Sequence, residues 1–266
     1  MITRKKQLIE AFTNNAITGV SKIGAITSYK KAYDLNNNQI EWLIAACNFK
    51  DKPKVNYEAF YNCEIIKKAK KINIADAQIY YIDNFLTEID CQLLSGYIAE
   101  KAKRATLHKA GGKDERIISD QRTSSETFLS YQKHPYFNHI DKKLCQAMSF
   151  YPSIGEIIHG QKYEIGEYYK IHGDFFRAGE DFDTYCECMG QRTWTTMLYL
   201  NDVEEGGETH FPELNLKLKP KEGTLLAWNN LHKDGSPNEK TKHEALPPKS
   251  GKKYIITKWW RSWSLI

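Results

Sequence analysis

The pattern of hydrophobic and polar positions changes about a quarter of the way along the chain. Before residue 76, apolar residues recur at intervals of three or four, the spacing of amphipathic helices. This spacing occurs in two groups: Leu8, Ile9 and Phe12, then Ile40, Leu43, Ile44 and Cys47. A third stretch, residues 57–71, ends in lysines that suit a helix C-terminus. We therefore predict that residues 1–75 form an N-terminal helical accessory segment.

Residues 76–266 have the pattern of a separate α+β, mainly β domain. A strand is expected over 78–85, and Thr87 followed by acidic residues predicts the N-cap of a helix that reaches about Arg104. A second helix is predicted over 135–148. Short β-like runs separated by Gly and Pro turns follow, at 156–164, 194–200, 214–218, 224–228 and 254–260. Many short strands without alternating helices predict a sandwich or jelly roll.

Composition excludes several classes of protein. Hydrophobic residues make up 41% and charged residues 27%, so disorder and fibrous repeats are excluded. No uncharged apolar run reaches the length of about 18 residues that spans a membrane. The start, MITRKKQLIEAF, lacks the apolar region and cleavage site of a secretory signal, so a cytoplasmic, reduced protein is expected. Cys186 and Cys188 form a C-x-C pair that we interpret as loop thiols, with a redox or metal role as the alternative.

The basic charge of the chain is confined to its N-terminal part. The whole chain carries 38 lysines and arginines against 33 acidic residues, a net charge of +5. Residues 1–71 carry 13 against 6, and residues 72–266 carry 25 against 27. An accessory segment is therefore the leading interpretation of the basic region, with a nucleic-acid or acidic-partner surface as the alternative. The larger domain gives no reason to expect nucleic-acid binding.

The segment His172-Gly173-Asp174 is the sharpest local candidate for chemistry. On a strand, residues i and i+2 point to the same face, so an imidazole and a carboxylate can meet one metal ion. His210, His232 and His243 are the downstream candidates for a third ligand. Two histidines and one carboxylate form the non-haem Fe(II) arrangement. A zinc hydrolase can use the same ligands.

The H-x-D segment is part of a longer ordered series. The series comprises Tyr163-x5-Tyr169-x2-His172-x-Asp174-Phe175-Phe176, Gln191-Arg192, MLYLNDVEEGGETHFPELNL at 197–216, KPKEGTLLAW, His243-Glu244-Ala245-x-Pro247 and Gly251-Lys252-Lys253-Tyr254-x3-Lys258-Trp259. In this order and at these separations, the segments resemble the prolyl 4-hydroxylase family of Fe(II)/2-oxoglutarate-dependent dioxygenases. The resemblance covers about residues 78–262. It implies a double-stranded β-helix (jelly-roll) core with flanking helices, to which the N-terminal helical extension is added.

The resemblance implies a metal and co-substrate site. His172, Asp174 and His243 match the three iron ligands. We choose His243 over His232 because the distal ligand of the family stands ten residues before a lysine, here Lys253. Lys253 then matches the residue that binds the distal carboxylate of 2-oxoglutarate, and a fixed cation suits that dianion.

Four other residues receive roles from the resemblance or from their place beside it. Tyr163 matches the tyrosine that hydrogen-bonds the same carboxylate as the lysine. Thr195 follows Arg192 on a predicted strand and is expected to face the co-substrate. Tyr169 and Arg192 match residues on the substrate side.

The remaining conspicuous residues are predicted to be structural. His210 is interpreted as a rim or surface residue, Arg122 as a surface or ion-pair residue, and Trp259, Trp260 and Trp263 as packing residues. Glu244 stands where the family usually has a small residue, which leaves substrate specificity open.

The implied activity is that of a hydroxylase. It uses Fe(II), 2-oxoglutarate and O2, releases succinate and CO2, and takes ascorbate as its reductant. The leading interpretation is 4-hydroxylation of prolyl residues in a peptide or protein. A free amino acid or other small metabolite on the same scaffold is the first alternative. Binding of a nucleic acid or partner through the basic N-terminal segment is an alternative of a different class.

Overall fold

Two antiparallel sheets packed face to face form the framework of the described residues in the computed structural model. The structure describes residues 55–63, 65, 69–108, 116–130, 134–177, 186 and 189–262. The helices predicted before residue 55, the thiol of Cys188 and the predicted packing residue Trp263 lie outside the described residues.

The larger sheet has eight strands and the smaller sheet has four. The larger sheet runs in the order β1 (Lys70–Lys71), β2 (Ile79–Ile82), β12 (Leu225–Asn229), β9 (Arg192–Tyr199), β14 (Lys253–Arg261), β7 (Ile158–Tyr163), β6 (Ser125–Leu129) and β3 (Lys103–Arg104). The smaller sheet runs β11 (Leu216–Leu218), β10 (Thr209–Phe211), β13 (His243–Ala245) and β8 (Tyr169–His172). A separate hairpin joins β4 (Leu107–His108) to β5 (Arg116–Ile117).

Two hydrophobic cores lie on opposite faces of the larger sheet. Alternate residues of a strand point to opposite faces, so β9 sends Trp194 and Leu198 to the outer core and Met197 and Tyr199 to the inner core. The outer core is covered by the helices α2 (Glu88–Lys101) and α3 (Tyr136–Met148). The inner core is closed by the smaller sheet, and the candidate site lies between the two sheets.

The helix starts and ends follow from local chemistry. Thr87 caps α2, because its hydroxyl accepts from the backbone N–H of Asp90 while the Asp90 carboxylate accepts from the backbone N–H of Thr87. The predicted N-cap is therefore confirmed, although the helix ends at Lys101. Helix α3 ends at Ser149, which has a left-handed backbone with φ of 54°.

The predicted jelly-roll class is confirmed, and the five predicted strands after residue 152 are present. Among the strands of the smaller sheet, β10 and β13 were not predicted; each has only three residues.

The prediction of a helix over 57–71 is wrong at its end. Helix α1 spans Tyr57–Tyr61, and Lys70 and Lys71 instead form a strand that pairs with Tyr81 and Tyr80 of β2. The sheet therefore begins before residue 76, the predicted start of the second domain. The division into two domains stays a prediction.

Within the described parts of the chain, none of the helices has both the length and the apolar character needed to cross a bilayer.

Candidate active site

Three potential metal ligands meet at one edge of the smaller sheet. His172 ends β8 and His243 begins β13, and the two are register partners across this antiparallel pair. Nε2 of His172 lies 3.9 Å from Oδ1 of Asp174, and Nε2 of His243 lies 3.8 Å from Oδ2. One ligand atom from each residue falls within 4.8 Å of the other two. The structure therefore brings together the three residues predicted as iron ligands.

The path of the chain to Asp174 differs from the prediction. The sequence argument placed His172 and Asp174 on one strand, which is wrong because β8 ends at His172 and Asp174 follows a bend. Gly173 allows this bend, since a Cβ atom there would stand 2.6 Å from the Phe175 ring. The carboxylate reaches the imidazoles through this bend.

Backbone carbonyls orient both imidazoles. Nδ1 of His172 lies 2.8 Å from the Lys170 carbonyl oxygen, and Nδ1 of His243 lies 3.1 Å from the Thr241 carbonyl oxygen. A carbonyl oxygen only accepts, so each ring carries its proton on Nδ1 and directs the lone pair of Nε2 toward Asp174. This is the tautomer that binds a metal through Nε2.

A short chain of hydrogen bonds fixes the Asp174 carboxylate. Thr195 donates from its hydroxyl to Oδ2 of Asp174 at 2.7 Å, and Asn230 donates from Nδ2 to the same hydroxyl at 2.9 Å. Thr195 was predicted to face the co-substrate, and this is wrong because its hydroxyl is enclosed by Asp174 and Asn230. Asn230 was missed by the sequence analysis, since a buried asparagine gives no signal in a single sequence.

A β-bulge places Tyr169 on the ring of His172. His243 pairs with His172 and Ala245 pairs with Tyr169, so β8 has one more residue than β13 between these two pairs. In a regular strand residues i and i+3 point to opposite faces, and the extra residue puts both rings on the same side. The two rings are stacked with centroids 3.6 Å apart and an interplanar angle of 12°. Tyr169 therefore lies directly beside the potential metal site.

The protonation states of the triad suit a divalent cation. Burial, reinforced by His243, lowers the pKa of His172 to about 3. Burial alone would raise the pKa of Asp174, but His243 and His172 hold it below its usual value. At neutral pH the site therefore offers a neutral imidazole and an ionised carboxylate, the forms that coordinate metals.

Lys253 is a buried lysine for which the described residues supply no hydrogen-bond partner. It begins β14, is 0% exposed, and pairs in register with Tyr163 of β7. Its Nζ lies 5.4 Å from the Tyr163 ring centroid and 5.6 Å from that of Tyr199, and within the described ranges it finds no hydrogen-bond acceptor. Burial lowers its pKa to about 7, an effect that Glu208 only partly offsets. A buried cation in this state is stabilised by an anionic ligand.

Polar side chains near Lys253 are hydrogen-bonded to one another and line the cavity. The hydroxyl of Tyr163 donates to Oε1 of Gln161 at 2.9 Å, and Nε2 of Gln161 donates to Oγ1 of Thr257 at 3.1 Å. Tyr163 thus has its ring beside Lys253 and its hydroxyl on Gln161. Thr209, with its hydroxyl 2.8 Å from that of Tyr199, lines the same cavity and was missed by the sequence analysis.

Arg192 is held by an ion pair next to the triad. Its Nε and Nη2 donate to Oε1 and Oε2 of Glu156 at 2.7 and 2.8 Å, and Arg261 donates to Oε1 at 2.8 Å. Burial would raise the pKa of Glu156, but the two arginines lower it to about 2. Arg192 lines the cavity with its guanidinium 4.0 Å from the Trp259 ring.

Two residues predicted as structural also line the cavity. The ion-pair prediction for Arg122 is confirmed by its 2.8 Å bond to Glu126, but Arg122 is only 5% exposed and is not a surface residue. Trp260 packs in the core as predicted, whereas Trp259 faces the cavity. Strand alternation sends the two rings to opposite faces of β14.

His210 and Glu244 form a pair at the edge of the cavity. The two residues are opposite one another across β10 and β13, with Nδ1 of His210 2.7 Å from Oε1 of Glu244. Both side chains are partly exposed, as predicted for His210. Glu244 is accommodated next to the metal-ligand position His243 because the imidazole of His210 pairs with its carboxylate.

The triad and Lys253 line one cavity of about 430 Å³ between the sheets. In the described part of the chain, no other group of three His, Cys, Asp or Glu residues could hold a metal ion. The predicted site residues Tyr163, Tyr169 and Arg192 also line this cavity.

Comparison with known sequences matches this chain to 2OG-Fe(II) oxygenases and to prolyl 4-hydroxylases. The profile of the 2OG-Fe(II) oxygenase superfamily matches residues 158–261. A probable prolyl 4-hydroxylase 9 of Arabidopsis thaliana is 31% identical over 198 residues, which cover 68% of this chain and 67% of the relative. Prolyl 4-hydroxylase subunit alpha-1 of Homo sapiens is 28% identical over 68% of this chain and 34% of its own length.

A solved structure matches the fold as well. A viral collagen prolyl hydroxylase of Paramecium Bursaria Chlorella virus-1, solved as a 2OG complex, has a TM-score of 0.53 and 29% sequence identity. The match covers 69% of this chain and 95% of the viral chain.

Proposed function

Because this chain belongs to the prolyl 4-hydroxylase family of 2OG-Fe(II) oxygenases, we propose that it hydroxylates prolyl residues of a peptide or protein. It is a 2-oxoglutarate-dependent dioxygenase. One observation carries the proposal: three potential metal ligands line the same cavity as a buried lysine that has no hydrogen-bond partner among the described residues.

The residues of the cavity fit Fe(II) and 2-oxoglutarate. His172, Asp174 and His243 supply the two imidazoles and one carboxylate that non-haem Fe(II) prefers. Lys253 supplies the fixed cation for the distal carboxylate of 2-oxoglutarate, and Tyr163 lies beside it. When bound, Fe(II) and 2-oxoglutarate supply the oxidising chemistry, in which O2 is consumed, succinate and CO2 are released, and the substrate gains one oxygen atom. We propose ascorbate as the reductant that maintains Fe(II).

The contribution of the protein is to position charged and polar groups around that chemistry. Backbone carbonyls hold the two imidazoles, and Thr195 holds the Asp174 carboxylate, so the ligand set is preorganised. Lys253 fixes one end of the co-substrate and thereby its orientation toward the triad. These interactions are made by buried groups, where electrostatic attraction is strongest.

Tyr169 and Arg192 are proposed to contact the substrate. Tyr169 stacks on His172. The Cζ atom of Arg192 lies 4.9 Å from the centroid of the Phe176 ring and 4.0 Å from that of the Trp259 ring. Aromatic faces and a guanidinium plane offer flat apolar surface next to polar donors. A prolyl residue, with an apolar ring and a neighbouring carbonyl, matches that combination.

The substrate class is tested by mass spectrometry. The purified chain with Fe(II), 2-oxoglutarate and ascorbate would be incubated with a library of proline-containing peptides and, separately, with a pool of free amino acids. We expect peptides that gain one oxygen atom on proline, and none with the His172→Ala variant. A product in the free amino-acid pool alone would replace the peptide proposal with a small-metabolite hydroxylase.

A further inference from the structure

The cavity extends well beyond the proposed co-substrate site. Lys253 and Trp259 lie on the same face of β14, six residues apart, a span of about 20 Å at the rise of a β-strand. Part of the cavity wall is formed by Arg122, Phe128, His159 and Trp259, which we call the His159 subsite. The chemistry proposed above leaves His159 without a role.

His159 is a buried imidazole with an unsatisfied ring nitrogen. It is 8% exposed and lies between Phe128 and Trp259, with ring centroids 4.4 and 5.2 Å away. Its Nδ1 is 3.7 Å from Oε2 of Glu126, too far for a hydrogen bond, and none of the described residues supplies another partner. Leaving a buried polar atom unpaired costs free energy that a ligand can recover.

Two further nitrogen atoms of the His159 subsite have no hydrogen-bond partner among the described residues. Arg122 donates from Nε to Ser124 and from Nη1 to Glu126, at 2.9 and 2.8 Å, but its Nη2 has no acceptor in the described part of the structure. The indole Nε1 of Trp259 is unpaired in the same way. Guanidinium and indole nitrogens only donate. Among the described residues, no acceptor is in reach of these two donor groups.

The charges around the subsite also favour an acceptor that is negative. Three described arginines surround it: Arg116 and Arg122 share the Glu126 carboxylate, and Arg192 binds Glu156. The Glu126 and Glu156 carboxylates thus pair with four guanidinium groups, since Arg261 also binds Glu156. Burial lowers the pKa of His159 to about 4, so at neutral pH the imidazole adds no further charge. An anion placed among these groups is attracted strongly because the site is buried.

We propose that the His159 subsite binds a carboxylate of the substrate, so that the enzyme selects prolyl residues close to an acidic group. This inference rests on the proposed function. A carboxylate offers two oxygens that accept from Arg122, Trp259 and His159 together, whereas a backbone carbonyl offers one uncharged oxygen. The carboxylate comes from an acidic side chain beside the target residue or from the C-terminus of a short peptide.

Peptide binding without turnover tests the proposal. The full chain loaded with Fe(II) and 2-oxoglutarate is kept anaerobic, and dissociation constants are measured by calorimetry. Synthetic peptides with a single proline carry Glu or Gln at each flanking position, and a second series ends in a free carboxylate or an amide. We expect the acidic member of at least one pair to bind at least tenfold more tightly. Equal binding within twofold in every pair would overturn the proposal, and the two series identify the source of the carboxylate.

Variants connect the preference to the subsite. His159→Phe keeps an aromatic ring but removes the nitrogens, and Trp259→Phe removes only the indole N–H, so each should reduce the acid preference to threefold or less. His232→Phe, at an exposed loop histidine, is the matched control and should keep the full preference. An unchanged preference in both subsite variants would contradict the proposal. If acidic peptides bind preferentially but no peptide gains oxygen under air, the proposed function fails and the subsite stands.

Discussion

Replacing Thr195 with valine removes one hydroxyl from the support of the metal site and leaves the volume almost unchanged. The hydroxyl donates to Oδ2 of Asp174 at 2.7 Å and accepts from Nδ2 of Asn230 at 2.9 Å. In the variant the carboxylate keeps its place between the histidines but loses the bond that fixes its orientation. We therefore expect weaker iron binding by a protein that still folds.

The size of the expected loss in Fe(II) affinity follows from the negative charge of the hydrogen-bond acceptor, the Asp174 carboxylate. A hydrogen bond to a charged group contributes about 1.5–3 kcal/mol, and about 1.4 kcal/mol is a factor of ten in affinity. Loss of a residue that supports a metal ligand typically costs about 10–100-fold in metal affinity. We expect Thr195→Val to weaken Fe(II) binding about 10–100-fold.

Thr196→Val is a matched control on the same strand. Thr196 is equally buried but on the opposite face, where its hydroxyl donates to the Lys258 carbonyl at 3.2 Å and accepts from Trp260 Nε1 at 3.1 Å. Both variants should lose stability in thermal unfolding, but only Thr195→Val should lose iron affinity in anaerobic competition with a chromogenic chelator. Iron binding that is unchanged in Thr195→Val, or reduced equally in both, would refute the reasoning.

Three further predictions concern Lys253 and the packing of the larger sheet. Lys253→Met should raise the KM for 2-oxoglutarate at least about tenfold, as expected when a charged hydrogen bond is lost, while Lys252→Met, at an exposed lysine next to it, should leave that KM within twofold. Burial lowers the pKa of Lys253 to about 7 in the free protein, and the 2-oxoglutarate dianion should bind the protonated lysine. Calorimetry should therefore show the affinity for 2-oxoglutarate falling as the pH rises above about 7. An affinity independent of pH would contradict this prediction. Gly155→Ala should destabilise the fold by about 1–3 kcal/mol, because the new Cβ would lie 2.2 Å from Cε of Lys258. The clash would disturb the 2.7 Å ion pair between Lys258 and Asp141. Gly96→Ala in α2 is the control: the new Cβ meets open space, so this variant should raise the melting temperature.

The four main site residues could be predicted from the sequence because they stand in segments with a typical order and spacing. The segments around His172, Asp174, His243 and Lys253 stand at separations typical of one family, and the fold brings these four residues to one cavity. Helix α2 was predictable because Thr87 and Asp90 form its cap locally. The longer strands β7, β9, β12 and β14 were predictable because their apolar and β-branched runs are bounded by Gly and Pro turns.

Features that depend on tertiary contacts were not predictable. The β-bulge that stacks Tyr169 on His172 depends on the register between β8 and β13, which a single sequence does not encode. The enclosure of Thr195 by Asp174 and Asn230 joins residues far apart in the chain. Lys70 and Lys71 were assigned to a helix because lysines suit a helix end, but pairing with β2 decided their conformation.

Some functional residues were assigned to the surface or the core because their partners are distant. Arg122 was predicted as a surface or ion-pair residue, and nothing in the sequence indicated that it lies over the Tyr169 ring, 5.1 Å from the centroid, on the wall of the cavity. Trp259 belongs to an aromatic cluster, and only the alternation of β14 separates it from the core residue Trp260.

Isotopically labelled dioxygen tests the central claim most directly. The purified chain would be incubated with Fe(II), 2-oxoglutarate and the best proline peptide under labelled O2, and both products analysed by mass spectrometry. A dioxygenase built on His172, Asp174, His243 and Lys253 predicts one labelled oxygen atom in succinate and one in the hydroxylated peptide, and neither in the Asp174→Ala variant. Products that carry no label, or 2-oxoglutarate that is never consumed, would contradict the account.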